Sequence, residues 1–370
     1  MALVVQKYGG SSLATPEKIK ALAERIVARY DKGDKLVIVV SAMGNTTNSL
    51  EAKANALSVD PDPREVDMLI SIGERESISL MAIAINNIRK GLAVSFTGSQ
   101  IGLITDTNHR NARILEIKGD RLVDALNNGK VPIIAGFQGV STEKQITTLG
   151  RGGSDTTAVA VTAALSKIFP DASCEIYSDV VGVYSADPKI CDAPVLIKEL
   201  DYETMLTISS LGAKVLKDAA VEYAHRLGVK ITTGLTWTGE TGTTVCKESS
   251  LDKNKFISLV LNDKLSYKQT KDGSNLPSDL SNVRFCQLSD SCGLTVFNCL
   301  PDNDSLNCFS LALVGSGLRS EGVKLNCMKN LICGNCRIVA ADISDIKFEI
   351  YTDSVISRDV FNKIHNIFFG

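Results

Sequence analysis

The sequence predicts an α/β protein, a mainly parallel sheet sandwiched by helices, followed by a second domain of different make-up. Three observations support this. Over the first 250 residues, short β-branched runs alternate with helix-length periodic stretches, the signature of strand–helix–strand crossovers. The 370 residues exceed what one hydrophobic core normally organises. Composition also breaks near residue 250. Cys174, Cys191 and Cys246 precede it, whereas Cys286, Cys292, Cys299, Cys308, Cys327, Cys333 and Cys336 follow; three phenylalanines lie before it and eight after.

Taken in order, Leu3–Tyr8 reads as a strand running into Gly9-Gly10-Ser11-Ser12. A helix begins at Thr15-Pro16, with Thr as N-cap and Pro in the first helical position. Its Ile19, Leu22, Ala23, Ile26 and Val27 recur with the spacing of one buried face. Leu36–Val40 is a continuous apolar run, as a parallel strand covered on both faces requires. Arg64–Ile88 carries helical spacing, Ala93–Phe96 and Val131–Ala135 read as strands, and Asp155–Leu165 as a helix behind a glycine-rich turn. Cys174–Tyr177 is a strand, Lys214–Arg226 a helix and Val229–Thr232 a strand again. In such sheets ligands sit beyond the carboxyl ends of the strands, so the loops that follow strands are where chemistry is sought.

Four loops stand out. In Lys7 through Ser12, paired glycines before a helix let backbone N–H groups approach an anion, and Lys7 adds a full charge. A tight turn with a solvated lysine explains the same residues. Ser41-Ala42-Met43-Gly44-Asn45-Thr46-Thr47 offers hydroxyls for a small polar ligand, or forms a plain turn. Gly150 through Thr157 places Arg151 among glycines at a helix start, where a guanidinium can bind a carboxylate or phosphate through two parallel hydrogen bonds. An N-cap at Ser154 or Asp155 accounts for only part of it. Ser178 through Lys189 contains Asp187-Pro188, which also suits a purely structural turn.

Other chemistries lack their signatures. There is no P-loop, no G-x-G-x-x-G after a strand, and His109-Arg110-Asn111 is not the H-R-D of protein kinases. His109, His225 and His365 are far apart, and the lone Cys333–Cys336 pair lacks the second pair a zinc site needs, so no metal ligands are assigned. The 40 Lys+Arg against 42 Asp+Glu, a net −2, argue against broad binding to nucleic acid or membrane surfaces. Met1–Gly10 has no leader pattern, and no apolar run reaches membrane-span length. A cytoplasmic location with reduced thiols is expected.

Together these segments resemble the aspartate kinases of the amino-acid kinase family. The resemblance rests on Val5 through Ser12, Ser41 through Gly44 with Thr47, Gly73-Glu74-Arg75-Glu76, Gly98-Ser99-Gln100, Gly136 through Gly139, Leu149 through Asp155, Tyr177 through Pro188, and Gly212 through Leu216. It covers about residues 3–230, in the family's order. It implies transfer of the γ-phosphoryl group of ATP, carried with Mg²⁺, to the β-carboxylate of L-aspartate. It assigns Lys7, Glu74 and Asp155 to catalysis, and Ser41, Thr47, Glu74, Arg151, Ser154 and Asp155 to the aspartate. The ATP side takes Lys7, Gly9, Gly10, Ser11, Ser178, Asp179, Tyr184, Asp187, Lys189, Lys214 and Val215. Lys214, in the first turn of the expected helix, would be disfavoured there unless an anion lay nearby. A carboxylate acceptor is ionised at pH 7 with a pKa of about 3.9 and needs no general base. Two rivals stay open: a relative acting on glutamate or acetylglutamate, and a silent amino-acid sensor on the same fold. Arg151 with Ser41, Thr47 and Glu74 favours aspartate; Lys7, Arg151 and Asp155 together favour an enzyme.

The resemblance divides the chain into a catalytic domain, 1–246, a linker, 247–254, and an α+β ACT-like regulatory domain, 255–370. The second ACT unit spans about 309–370, with a strand and its turn at Phe309–Gly317, a helix near Gly322–Leu331, strands at Arg337–Ala341 and Ile346–Tyr351, and a helix from Arg358. The first is shortened: Phe256–Leu261 and Val283–Leu288 are strands, but Lys264–Ser281 reads as a loop. An amino-acid effector, lysine or threonine, with weak feedback, and a homo-oligomer joined through this region are the expected partners. The seven cysteines here are expected as small core residues.

Overall fold

The computed structural model describes residues 2–213, 215–249, 256–270, 283–289, 292–298, 305–316, 318 and 321–370. Contacts divide the chain into two units. The first comprises Met1–Val183, Lys198–Tyr202 and Val215–Ser249; the second comprises Tyr184–Ile197, Glu203–Lys214 and Ser250–Gly370. The division is therefore not one cut near residue 247, because two segments of the expected catalytic span pack with the C-terminal unit.

The first unit is built on an eight-stranded sheet. Its strand order is Glu199–Asp201, Thr241–Cys246, Ile231–Leu235, Ser173–Ser178, Leu3–Tyr8, Lys35–Val40, Val131–Ala135 and Ala93–Phe96. All neighbours run parallel except Ile231–Leu235 with Thr241–Cys246. From the first strand the chain winds to one side, then returns to add Ser173–Ser178 on the other, which makes the ends of these two strands a switch point. Strand alternation sorts the side chains. Val4 and Tyr8 join Leu36, Ile38, Val40, Ile133 and the helices Pro16–Asp31 and Ile72–Ile88 in one cluster. Leu3, Val5 and Lys7 therefore point to the opposite face, where the helix Gly153–Ser166 packs on the first strand. A smaller sheet, in the order Ile114–Ile117, Leu103–Thr105, Gln138–Ser141 and Ile146–Thr148, completes the unit.

The first helix follows its sequence signals closely. Thr15 caps it by accepting from the Lys18 N–H at 3.4 Å, and the five expected apolar residues are its buried ones. Other elements depart from expectation. Arg64–Ile88 is two helices, Pro63–Ile70 and Ile72–Ile88, joined at Ser71. The expected helix from Lys214 begins at Asp218, behind Lys217 in extended backbone, so the argument from Lys214 in a first helical turn does not apply; Lys214 lies outside the described residues. The following strand is Ile231–Leu235, later than Val229–Thr232, because Val229 hydrogen-bonds back to Ala224 past a left-handed Gly228.

The second unit is an antiparallel sheet in the order Val283–Ser289, Cys292–Phe297, Phe256–Thr270, Leu306–Gly315, Lys347–Thr352 and Ile338–Ile343. The helices Gly322–Cys333 and Arg358–Phe369 share a core with Leu259, Leu311, Leu313 and Ile350. From residue 306 the strand–helix–strand–strand–helix order is the one expected. The strand from Phe256 continues to Thr270, which corrects the loop expected from Lys264; its alternation, with Leu265 and Ser266 buried, is broken by a register shift between Asn262 and Leu265. Residues 271–281 of that expected loop, and 250–254 of the expected linker, lie outside the described residues. The cysteines are not uniformly core. Cys308 and Cys336 are buried, but Cys327 and Cys333 are exposed on the surface of their helix, and Cys299 lies outside the described residues. Among the described residues no helix is long and apolar enough to cross a membrane.

Candidate active site

Four adjacent parallel strands, ending at Tyr8, Val40, Ala135 and Ser178, deliver their loops to one edge of the sheet. The first two loops interlock. Ser41 donates its N–H to Tyr8 O at 3.1 Å, and Gly44 donates to Gly10 O at 3.0 Å. A Cβ on Gly10 would lie 2.6 Å from Ala42 O, so only glycine allows this approach. Gly9 is next to the Lys7 ammonium, and Ser11, exposed, accepts at its carbonyl from Lys18 Nζ at 2.9 Å.

Lys7 leaves the strand on the face covered by Gly153–Ser166. Its ammonium lies 2.6 Å from Oδ1 of Asp155, with both side chains largely buried. Asp155 occupies the first turn of that helix behind Gly152, which is left-handed at φ +82°. The third loop fixes the height of the helix: a Cβ on Gly136 would sit 2.8 Å from the Ser154 side chain. Phe137, left-handed at φ +69°, turns the chain away there and donates its N–H to Thr157 Oγ1 at 3.1 Å. Ser154 is thereby buried against Gly136, while Arg151, in the preceding turn, is exposed.

Glu74 comes from the opposite face. It is 2% exposed, and Oε1 accepts from the Ala42 N–H at 3.0 Å. Oε2 is buried without a hydrogen bond among the described residues. Burial pushes the carboxyl up to about 7, against the smaller opposing pull of the Ala42 and Glu74 N–H groups. Gly73 permits the approach, since its Cβ would meet the Ala42 methyl at 2.7 Å. Thr47 is half-buried in the first turn of the helix Thr46–Leu57.

The structure thus gathers Lys7, Gly9, Gly10, Ser41, Glu74, Ser154 and Asp155 on a strand end, two loops and the first turns of two helices that touch one another. The residues expected on the nucleotide side are less concentrated. Ser178 ends its strand, its hydroxyl accepting from the Val180 N–H at 3.2 Å; Asp179 is exposed beside it, and Val215 is half-buried. Thr236 Oγ1 joins Ser178 O at 3.0 Å to Ser12 Oγ at 2.8 Å, a link between two of the loops that the sequence did not announce. Tyr184, Asp187 and Lys189 belong to the second unit, where Asp187 Oδ1 accepts from the Lys189 N–H at 2.9 Å. Among the described residues, no three His, Cys, Asp or Glu side chains converge as a metal cage.

Sequence reasoning also missed Asp67, which is fully buried in Pro63–Ile70. The available signal was an aspartate sharing the helix face of Val66 and Ile70, where burial requires partners.

Residues 2–232 match the amino acid kinase family. The aspartokinase of Mycolicibacterium smegmatis is 51% identical over 247 residues, 66% of this chain and 57% of that protein. That of Corynebacterium glutamicum is 45% identical over 295 residues, 79% of this chain and 69% of that protein. The chain thus spans 57% to 69% of the length of these curated relatives. Among solved structures, aspartate kinase from Synechocystis is 32% identical with a TM-score of 0.60, covering 95% of this chain and 66% of that one. Aspartokinase III of E. coli, in complex with lysine and aspartate, superposes with a TM-score of 0.81 over 100% of both chains at 21% identity, a likeness of fold. The chain belongs to the amino acid kinase family, and its similarity within that family is to aspartokinases.

Proposed function

We propose that this chain is an aspartate kinase, transferring the γ-phosphoryl group of MgATP to the β-carboxylate of L-aspartate to give 4-phospho-L-aspartate. The observation that carries the reading is the Lys7–Asp155 pair, set where the glycine loop of the first strand meets a helix N-terminus. An anion there meets backbone N–H groups, the positive end of a helix and a buried ammonium together. Lys7 neutralises charge on the phosphoryl group in transit, and Asp155 holds its ammonium in place. The acceptor carboxylate is already a nucleophile, so alignment and charge neutralisation supply the catalysis.

The acceptor's other groups have matching partners. Arg151, exposed and without a carboxylate partner among the described residues, takes a carboxylate of the substrate. Ser41, Thr47 and Ser154 offer hydroxyls. Glu74, with one buried oxygen unpartnered, takes the ammonium. Magnesium travels on the phosphate oxygens and water. Gly9, Gly10, Ser11, Ser178, Asp179 and Val215 serve the nucleotide. Tyr184, Asp187, Lys189 and Lys214 are assigned to it by the resemblance alone. The C-terminal unit acts as a regulatory module that binds lysine or threonine with weak feedback and joins copies into a homo-oligomer, in the cytoplasm.

Incubation with ATP, Mg²⁺ and hydroxylamine tests the reading. A hydroxamate should form with L-aspartate and not with L-glutamate. Formation with glutamate alone would move the chain to another acceptor, and formation with neither would favour a silent sensor.

A further inference from the structure

His109, which fits no metal or kinase pattern, has a partner in Asp67. The Asp67 carboxylate is fully buried and is held by three residues. Nδ1 of His109 lies 2.8 Å from Oδ2. The Arg110 N–H spans both oxygens at 3.2 and 3.1 Å. Thr148 donates its hydroxyl to Oδ1 at 2.6 Å and its N–H to Oδ2 at 3.2 Å. A carboxylate removed from water needs such a set, and losing a donor leaves a buried charge undersatisfied.

These partners lead toward the acceptor residues. Thr148 ends the strand that runs directly into Leu149-Gly150-Arg151. Arg110 is left-handed at φ +69°, a conformation a non-glycine residue adopts at a cost, and one that aims its N–H at Asp67. Its guanidinium pairs with Glu51, on the helix whose first turn carries Thr47. The same loop packs on the Arg151 turn: Asn111 Oδ1 would lie 2.8 Å from a Cβ on left-handed Gly150, and Ala112 donates its N–H to Thr148 O at 2.9 Å. Asp106 closes the loop by accepting from the Arg113 N–H at 3.0 Å.

We infer that Asp67 is a positioning residue for the acceptor substrate: through Thr148 and the loop 106–113 it holds the Arg151 turn and the Thr47 helix at fixed separation. The inference rests on the reading that Arg151 and Thr47 bind aspartate. None of the Asp67 contacts involves Gly9, Gly10, Ser11 or Ser178, so the hub serves the acceptor and leaves nucleotide binding alone. A carboxylate that merely stiffened the fold would lower stability without distinguishing the two substrates.

The test is steady-state kinetics with each substrate varied, beside thermal unfolding, for Asp67→Asn, His109→Gln, Thr148→Val and Thr148→Ser. Misplacing Arg151 weakens ground-state and transition-state binding alike, so KM for aspartate should rise about tenfold in Asp67→Asn and about fivefold in Thr148→Val and His109→Gln, with kcat and KM for ATP within about twofold. Thr148→Ser, which keeps the hydroxyl, should return KM for aspartate to within about twofold of wild type. If Asp67→Asn does not fold, the Thr148 pair decides. Unchanged aspartate KM in Thr148→Val and His109→Gln would overturn the inference, as would equal rises in both KM values with a fall in Tm. A wild-type protein that turns over no aspartate would overturn the functional reading, and this inference with it.

Discussion

Lys7 and Glu74 reach the same strand-end loops from opposite faces of the sheet, and each makes a testable prediction. Removing Lys7 leaves Asp155 buried without its counter-ion and the phosphoryl group without a cation. Lys7→Ala should lower kcat at least about a hundredfold, the scale of losing one preorganised charge-stabilising group, while circular dichroism stays that of the wild type. Near-normal kcat would remove Lys7 from catalysis. Glu74 makes a prediction in pH. Burial lifts its carboxyl from 4.5 to about 7, so between those values the folded protein holds a proton the unfolded chain has released. Its contribution is therefore present below about 4.5 and lost as pH rises through about 7, on the order of 3 kcal/mol at most. Glu74→Gln should gain in Tm relative to wild type as pH goes from 5 to 8. The substrate ammonium favours the ionised form, so KM for aspartate should fall as pH rises through about 7 in the wild type and stay flat in the variant. A pH-independent KM in the wild type would separate Glu74 from the ammonium.

Elements were legible where local signals and tertiary packing agree. The helix at Pro16–Asp31 has an N-cap, a proline and one apolar face, and it forms as those signals demand. Leu36–Val40 and Val131–Ala135 were legible because each is apolar throughout and buried along its whole length. Errors arose where a tertiary contact outweighed pattern. Ser71 interrupts a continuous helical periodicity because Gln138 Nε2 donates to its carbonyl at 2.8 Å, a partner 67 residues away. The polar alternation after Lys264 looked like a loop, yet backbone pairing with Cys292–Phe297 and Leu306–Gly315 makes it a strand. The site shows the same division. Glycines and charged residues after strands marked Lys7, Arg151 and Asp155, but Asp67 and Thr236 act through partners far along the chain and carry no local mark. The interlocked loops are testable as an element. Gly10→Ala forces a methyl against Ala42 O and should cost about 1–3 kcal/mol of stability together with weaker ATP binding. Wild-type stability and ATP affinity in that variant would show that the loops yield readily.

At the scale of the molecule, each unit carries its own buried polar anchor. In the C-terminal unit Glu349 is fully buried between Arg284, 2.7 Å away, and Lys347, 3.1 Å away. Burial pushes Glu349 upward, but the two cations outweigh it and hold the carboxyl below its ordinary range. That contribution is present above the unfolded carboxylate pKa and is lost as pH falls through the folded one. Arg284 also donates to Ser210 O at 2.8 Å, which ties the strand Val283–Ser289 to the end of the helix Tyr202–Ser210. Arg284→Met, which leaves Glu349 facing Lys347 alone, should cost about 3–5 kcal/mol in denaturant unfolding of the C-terminal unit, less at acid pH. An unchanged midpoint would make the pair incidental. The central claim concerns the chemistry at the first unit's strand ends, and phosphorus NMR of a mixture with MgATP and L-aspartate tests it most directly. A new acyl-phosphate resonance should grow as the γ-phosphate signal falls, disappear on adding hydroxylamine, and be absent with Lys7→Ala or with L-glutamate. Conversion of ATP to ADP and inorganic phosphate alone, or an acyl-phosphate signal undiminished in Lys7→Ala, would contradict the account.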